Sequence, residues 1–486
     1  MSSDRAAPTG ELAPARLFAA AWAVAALFHL LGKVPIYTGW SGSMLLDALV
    51  GACALGLLVR PSSLATLLTL AGAQVAAAIA EAPVLSNHWL LAALVNLALL
   101  AAAAALAVRS RRAAAPGAPM AGGLPLQDAH WRLAAPIVRW QVILFYLLAA
   151  LHKTNSSYLD PEVSCAALYS SEIARSLGAG SLVGTETARL AAWGSLLIEW
   201  AIPVLLLVPR LRLGGVLLGV FFHGVLALDL PRHFFDFSSV MYALLLAFLP
   251  ARAATWAARR WSPRAQAGRR AIAAALFALG LASTALVARA PWALPVSTGL
   301  GAVLWFAWAA LLVAGLVVVL RRGPSAAPDP GALAVPRGWL WILPALVLVN
   351  GIAPYLGWKT GGAFNMYSNL RVEGDRPNHL FLPGSLRLSR HHGDLVAIVS
   401  SSDPELHAYG QRKVLVPFFE LRDYLSRRPH VALAFERNGE LHELAQAADD
   451  PELVAPVPWW LRKLLLFRPV DSSELESCRD TWGAAR

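Results

Sequence analysis

The chain has 486 residues, 57% of them hydrophobic and 15% charged, with a formal net charge of +11. A soluble domain carries about 25% charged residues. Here the apolar residues run in long uninterrupted stretches, which excludes a soluble globular protein with a large core. The positive charge does not indicate a nucleic-acid partner, because the arginines fall in short loops between apolar runs.

From the start of the chain, Met1 to Arg16 is polar, with acids as well as bases and no convincing cleavage site. The first apolar run therefore reads as a retained helix. Apolar runs follow at 17–32, 44–59, 62–81, 88–108, 137–152, 190–209, 213–230, 237–250, 271–289, 298–320 and 338–356. With roughly 20 apolar residues per crossing, these predict about eleven membrane spans. Residues 109–134 and 323–336 read as flexible linkers, rich in Ala, Gly and Pro. The loop 153–188 reads as ordered, with a short helix around Ser171–Leu177. No internal repeat is evident.

Arginine density alternates from loop to loop. Arg60, the group from Arg109 to Arg139, Arg210 with Arg212, the group from Arg252 to Arg270, and Arg321 to Arg337 fall in every second connection. The positive-inside rule puts that set in the cytoplasm. The N-terminus is then inside, and everything after the last run is outside. The Ala- and Arg-rich, Lys-poor composition reads as that of a GC-rich bacterium, which implies a bacterial plasma membrane.

The tail has a different character. Leu395 to Ser400 reads as a buried strand, and Pro417 to Ser426 as a short helix. Val431, Leu433 and Phe435 alternate before Asn438-Gly439, a type I′ hairpin signal. Trp459 to Phe467 reads as an amphipathic segment suited to a membrane surface. The expected fold class is mainly α: a polytopic transmembrane helical bundle carrying a small extracytosolic α+β C-terminal domain. The expected domains are 1–16 (cytoplasmic), 17–250 (a bundle carrying the site), 251–357 (further helices) and 358–486 (the tail).

Under this topology His29, Asp47, Asn87, His88, Lys153, His223, Asp229 and Asp236 all fall in the outer half of the membrane, with Glu199 deeper, near the middle. Ionisable groups in lipid are costly and face a bundle interior or cavity. Lys153 is the most informative of them. It closes an apolar run where most helix-end cations are arginine, and a desolvated lysine can release a proton that arginine cannot. The bland readings are equally concrete. Lys153 can snorkel, His29 can be a packing residue, Asp47 and Asp229 can cap helices or pair with arginine, and Glu199 can bond a neighbouring helix. The histidines lack the spacing of a metal site, so no metal is expected. Cys53 lies within the second run. Cys165 and Cys478 both fall outside and are expected to form a disulfide, the alternative being two independent thiols.

Several segments together carry a resemblance. They are Ser86-Asn87-His88-Trp89, the run Phe145 to Lys153 followed by Tyr158-Leu-Asp, and Val220 to His223 followed by Asp236 to Met241. Phe364 to Arg371, with Asn378-His379-Leu380, adds a fourth. In these the chain resembles the horizontally transferred transmembrane domain of the vitamin K-dependent gamma-glutamyl carboxylase family, in a bacterial form. The resemblance implies a membrane lyase that uses a reduced vitamin K or menaquinone taken from the lipid, with oxygen and carbon dioxide as co-substrates. The acceptor would be glutamyl side chains of a secreted, glutamate-rich protein. It implies Lys153 as the base that deprotonates the quinol, kept neutral by burial and by His88 or His223. It further implies Asn87, His88 and His29 as quinol contacts, and His223 as a stabiliser of oxyanion charge. Two departures stand out: His152-Lys153 replaces two basic residues of the eukaryotic enzymes, and no propeptide-binding region is recognisable. The alternatives are a non-carboxylating quinone or lipid enzyme on the same scaffold, or a transporter using Lys153 and Glu199 as a proton pathway.

Overall fold

The computed structural model describes residues 13–33, 42–113, 126–230, 232–250, 253–254, 294–322, 329–374, 376–471 and 475–478, with four alanines between 271 and 282. The helices are α1 (Ala13–Lys33), α2 (Gly42–Val59), α3 (Leu64–Glu81), α4 (Asn87–Ala113) and α5 (Leu126–Lys153). Next come α6 (Ser156–Leu159), α7 (Cys165–Ser176), α8 (Thr185–Leu207), α9 (Arg212–Leu226) and α10 (Phe234–Leu246). The membrane-type helices end with α11 (Leu294–Arg322) and α12 (Ile342–Leu356). The tail adds α13 (Pro404–Gln411), α14 (Phe418–Leu425), α15 (Pro451–Val454) and α16 (Trp459–Leu464). Its strands are β1 (Leu395–Ser401), β2 (Val414–Pro417), β3 (Leu433–Arg437), β4 (Glu440–Leu444) and β5 (Val470–Asp471).

Among the described residues, seven helices are long and apolar enough to cross a membrane, and the chain is a membrane protein. Three further apolar runs form shorter helices, in α2, α9 and α10. The 15 residues of α9 and 13 of α10 make helices about 20 Å long, against a hydrocarbon core of roughly 30 Å. The run expected at 271–289 lies largely outside the described residues.

Two expected linkers are corrected. Of residues 109–134, the first five continue α4 and the last nine begin α5. The polar residues that broke the apolar pattern are buried with partners: Gln127 donates to the Pro61 carbonyl (2.7 Å), and the His130 Nε2 lies 2.8 Å from the Leu99 carbonyl. The end of the stretch 323–336 is likewise docked. Pro330–Leu333 is a 3-10 turn capped by Asp329. The carbonyls of Ala332 and Leu333 accept hydrogen bonds from Arg139 and Trp140, and that of the cap residue Asp329 accepts from Arg212.

The chain divides into two compact units. One comprises Met1–Ala80, Leu91–Leu144 and Ala201–Leu346, as far as these are described. Inside it α1 packs on α2, α10 and α11. A polar chain ties its helices together: Trp22 Nε1 donates to Asn96 Oδ1 (3.0 Å), and Asn96 Nδ2 donates to Gln74 Oε1 (2.8 Å). Where apolar surface gives no selectivity between helices, such bonds fix which faces meet.

The other unit comprises Glu81–Leu90, Phe145–Trp200 and Val347–Arg486. Its tail forms an antiparallel sheet in the order β4-β3-β1-β2-β5. Alternate residues of β1 and β3 (Val396, Ile398, Leu433, Phe435) pack on Leu406 of α13 and on Leu421 and Leu425 of α14. The expected strand, helix and hairpin are all present, but β1 is buried on one face only, with Val399 58% exposed. Asn438 and Gly439 adopt φ of 55° and 81°, the left-handed pair that a type I′ turn requires. The short helix expected near Ser171 is α7, which begins at Cys165 and is capped by Ser164. Cys165 and Cys478 are disulfide-bonded, with Cα atoms 4.8 Å apart. Asn369 braces this junction, accepting from the Cys165 N–H and donating to the carbonyls of Val163 and Glu476.

The closest backbone approach in the tail is testable. A Cβ on Gly410 of α13 would lie 2.5 Å from the Ile398 carbonyl oxygen of β1. Gly410→Ala should therefore cost about 1–3 kcal/mol of tail stability and speed limited proteolysis within 394–471. Gly393→Ala, which meets nothing within 4 Å, should not.

Candidate functional site

Lys153 is the last residue of α5, and it does not project into solvent. Its Nζ lies 2.5 Å from Oε1 and 2.7 Å from Oε2 of Glu199 on α8. The two side chains are only 13% and 7% exposed. The contact joins a residue expected near the middle of the membrane to one expected at the outer end of its span. The helix carrying Glu199 begins at Thr185, five residues before the apolar run.

Two further contacts fasten α8 to the residues after Lys153. Ser195, one turn before Glu199, is 2.8 Å from the Tyr158 hydroxyl. Trp200 Nε1 donates to Thr154 Oγ1 at 3.3 Å. The Tyr158 ring centroid is 5.9 Å from the lysine Nζ. Burial first, and then the Glu199 carboxylate, push the Tyr158 phenol well above its ordinary range, so it stays protonated.

The corner is held by asparagines. Asn155 caps α6, accepting from the Tyr158 N–H (2.8 Å), and donates to the carbonyls of His152 (2.8 Å) and Ser368 (2.7 Å). Asn378 donates to the Asn369 carbonyl and to Ser157 Oγ, and accepts from the Arg371 N–H. The Ser156 and Leu380 N–H groups donate to the carbonyls of Asn378 and Thr154. His379 Nε2 is 3.1 Å from the Leu151 carbonyl. His152 is completely buried, with Nδ1 3.2 Å from the Phe364 carbonyl and Nε2 2.9 Å from that of Gly351. The segment 364–380 thus wraps the end of α5. Phe364, Tyr367 and Asn369 all have positive φ (62°, 58° and 52°). Each such residue costs on the order of 1–3 kcal/mol and persists only when its surroundings over-determine it.

Asn87 opens α4, and its Oδ1 accepts from the Phe364 N–H at 3.2 Å. It reaches the same wrapping segment. His88 Nε2 lies 3.4 Å from Ser86 Oγ. Asn87, His88, Lys153 and Glu199 therefore belong to one unit. His29 and His223 belong to the other. There, His29 Nδ1 is 2.8 Å from Asp236 Oδ2, both buried. His223 is fully buried against the rings of Phe222 and Phe237. Asp229 pairs with Arg232 at 2.9 Å.

Sequence reasoning missed Lys359. Its Nζ donates to the Gly362 carbonyl (3.1 Å), an oxygen that also accepts from Asn350. Burial pushes this amine down to about 8, and among the described residues no carboxylate pairs with it. The available signal was scarcity: the chain holds five lysines, and two of them are this deeply placed.

Chemically, the Lys153 corner offers a buried amine hydrogen-bonded to a carboxylate, a neutral phenol, and a rigid surround of amides and aromatic rings. Comparison with protein-family models, with curated proteins and with solved structures finds no match.

Removing one partner of a buried ion pair strands the other charge, at about 3–5 kcal/mol, whereas replacing both by apolar groups is nearly neutral. Lys153→Met and Glu199→Leu should each lower the thermal midpoint in detergent. The double variant should be more stable than either single. A double-variant loss equal to the sum of the singles would show that the two groups are not coupled.

Proposed function

We propose that this protein is a quinol-dependent membrane enzyme of the gamma-glutamyl carboxylase type, with Lys153 as its proton-accepting group. One observation carries the reading. Three of the four segments on which the resemblance rests, around Asn87, Lys153 and Phe364 to Leu380, are joined by hydrogen bonds into one corner, and a buried Lys153–Glu199 pair lies at its foot. An accidental likeness of short motifs gives no reason for such convergence.

The residues suit a reduced quinone as substrate. Its hydroxyl group needs a partner that takes a proton in a water-poor place. In this reading Lys153 is the base, and the Glu199 carboxylate, 2.5 and 2.7 Å away, holds its amine in place. Lys153 takes the quinol proton, which leaves a lysine ammonium beside the quinolate anion. Asn87 and His152 act one step back: both bond Phe364, and so hold the wall of the corner. Reduced quinone and oxygen supply the base strength needed to remove a glutamyl γ-proton, which no side chain reaches. Carbon dioxide then bonds to the carbon that lost it.

In this reading the membrane is a bacterial plasma membrane, the arginine-rich loops are cytoplasmic and the tail is extracytosolic, where a secreted glutamate-rich protein arrives. The Cys165–Cys478 bond supports that side, since disulfides persist in oxidising compartments. The same ion pair also favours a second reading, a transporter in which Lys153 and Glu199 relay protons.

The two are separated by purified protein in liposomes given reduced menaquinone, oxygen, labelled bicarbonate and a glutamate-rich peptide. The expected result is label in glutamate side chains. Lys153→Ala should abolish it, with partial rescue by small amines, and Lys153→Arg should not restore it, because arginine keeps its proton. Absence of label, together with a proton flux that Glu199→Gln abolishes, would replace the enzyme by the transporter.

A further inference from the structure

The end of α12 carries two segments whose apolar side chains face outward. The helix closes in a Schellman turn: Gly357 has φ of 71°, its N–H bonds the Pro354 carbonyl (3.1 Å), and the Trp358 N–H bonds that of Ala353 (3.0 Å). Residues 380–388 lie on this last turn, with the Leu386 N–H on the Tyr355 carbonyl (2.7 Å) and the Leu388 N–H on that of Leu356 (3.0 Å). On another side, the chain just after α16 is bonded to the chain just after α12. The Thr360 and Gly361 N–H groups both donate to the Leu466 carbonyl (3.0 and 2.7 Å), and the Arg468 N–H donates to Thr360 Oγ1 (2.9 Å).

These bonds fix a level. The apolar stretch that includes α12, Gly338–Leu356, is one of the seven that can cross the membrane. Thr360 lies four residues beyond its end, within about 14 Å even for a fully extended chain, and the Schellman turn makes the path shorter. Leu466 is bonded there, and α16 ends two residues before Leu466. Both segments must therefore lie near the boundary between acyl chains and headgroups. Their outward residues are large and apolar: Phe381 is 78% exposed and Trp459 69%, and Trp460, Leu464, Leu386 and Leu388 are exposed with them. Water is a poor medium for such a surface. The charges agree, since residues 376–392 hold the exposed Arg376, Arg387 and Arg390 and no aspartate or glutamate, whereas Arg462 and Arg468 are turned to Asp423 and Glu373. Aromatic side chains at headgroup level and cations facing phosphate are the usual anchors of an interfacial segment.

We infer that 380–388 and α16 form a collar around the end of α12 that inserts into the headgroup boundary of the same bilayer, seating the tail domain on the membrane. This rests on the span and the bonds around its end, and is independent of the catalytic reading.

The test uses full-length protein with Cys53→Ala, leaving the disulfide in place, and a single added cysteine carrying an environment-sensitive fluorophore. Phe381→Cys and Trp460→Cys report the collar. Leu441→Cys on β4, at the sheet edge opposite β5 and about 19 Å from it by strand spacing, is the control. In vesicles of phosphatidylglycerol and phosphatidylethanolamine, lipids brominated near the carbonyl end should quench both collar labels at least twofold more than the control. Aqueous iodide should show the reverse order. Collar labels as open to iodide as the control would overturn the inference. So would labels shielded from both quenchers, or collar cysteines that cross-link between two chains, because either result means that protein covers this surface.

Discussion

A lysine and a glutamate removed from water must meet, and most of the geometry around the end of α5 follows from that requirement. Burying a charge alone costs several kcal/mol even after relaxation, so α8 has to run past the end of α5 at the height of Lys153. Once it does, Ser195 falls beside Tyr158 and Trp200 beside Thr154. The chain after Lys153 must then turn at once without leaving buried amides unmet. Asn155 and Asn378 accomplish this, because an amide side chain both donates and accepts. The left-handed residues of 364–369 are the conformational cost of wrapping that turn closely.

The disulfide and the tail extend the same support. Asn369 links the wrapping segment to the start of α7 and to the residues before Cys478. The Lys153 corner is thereby braced from the far end of the chain. A proton-transfer site profits from such bracing, since small displacements of an acid–base pair are costly in rate. Lys359 shows the contrasting case. Its amine donates to the Gly362 carbonyl, and burial lowers its affinity for protons.

Much of this was legible where the physics is local. Alternation in Val431 to Phe435 and the turn chemistry of Asn438-Gly439 gave the hairpin, and the placement of two cysteines on one side of a membrane gave their bond. What was not legible depended on partners distant in the chain. The polar start of α5 reads as a loop until Pro61 and Leu99 are seen to satisfy it. Residues 329–333 read as linker until Arg139 and Arg212 reach their carbonyls. Of the candidate site, Lys153 stood out by residue type alone. Its partner Glu199 was noted as well, but their direct contact had no signal, because hydropathy does not say which faces of two helices meet. The role of Phe364 to Leu380 had no periodic signal to betray it, since a wrapping segment built on left-handed turns has neither helical nor strand spacing.

The central claim is that the Lys153 amine meets the quinol directly. With five lysines in the chain, ¹⁵N-lysine NMR of the protein in nanodiscs can follow each Nζ separately, assigned by single substitutions. Titration with reduced menaquinone under anaerobic conditions should shift the Lys153 resonance saturably and leave Lys413 and Lys463 unmoved, and Glu199→Gln should alter that shift. A Lys153 resonance that does not move at saturating quinol, while the protein remains folded, would contradict the account.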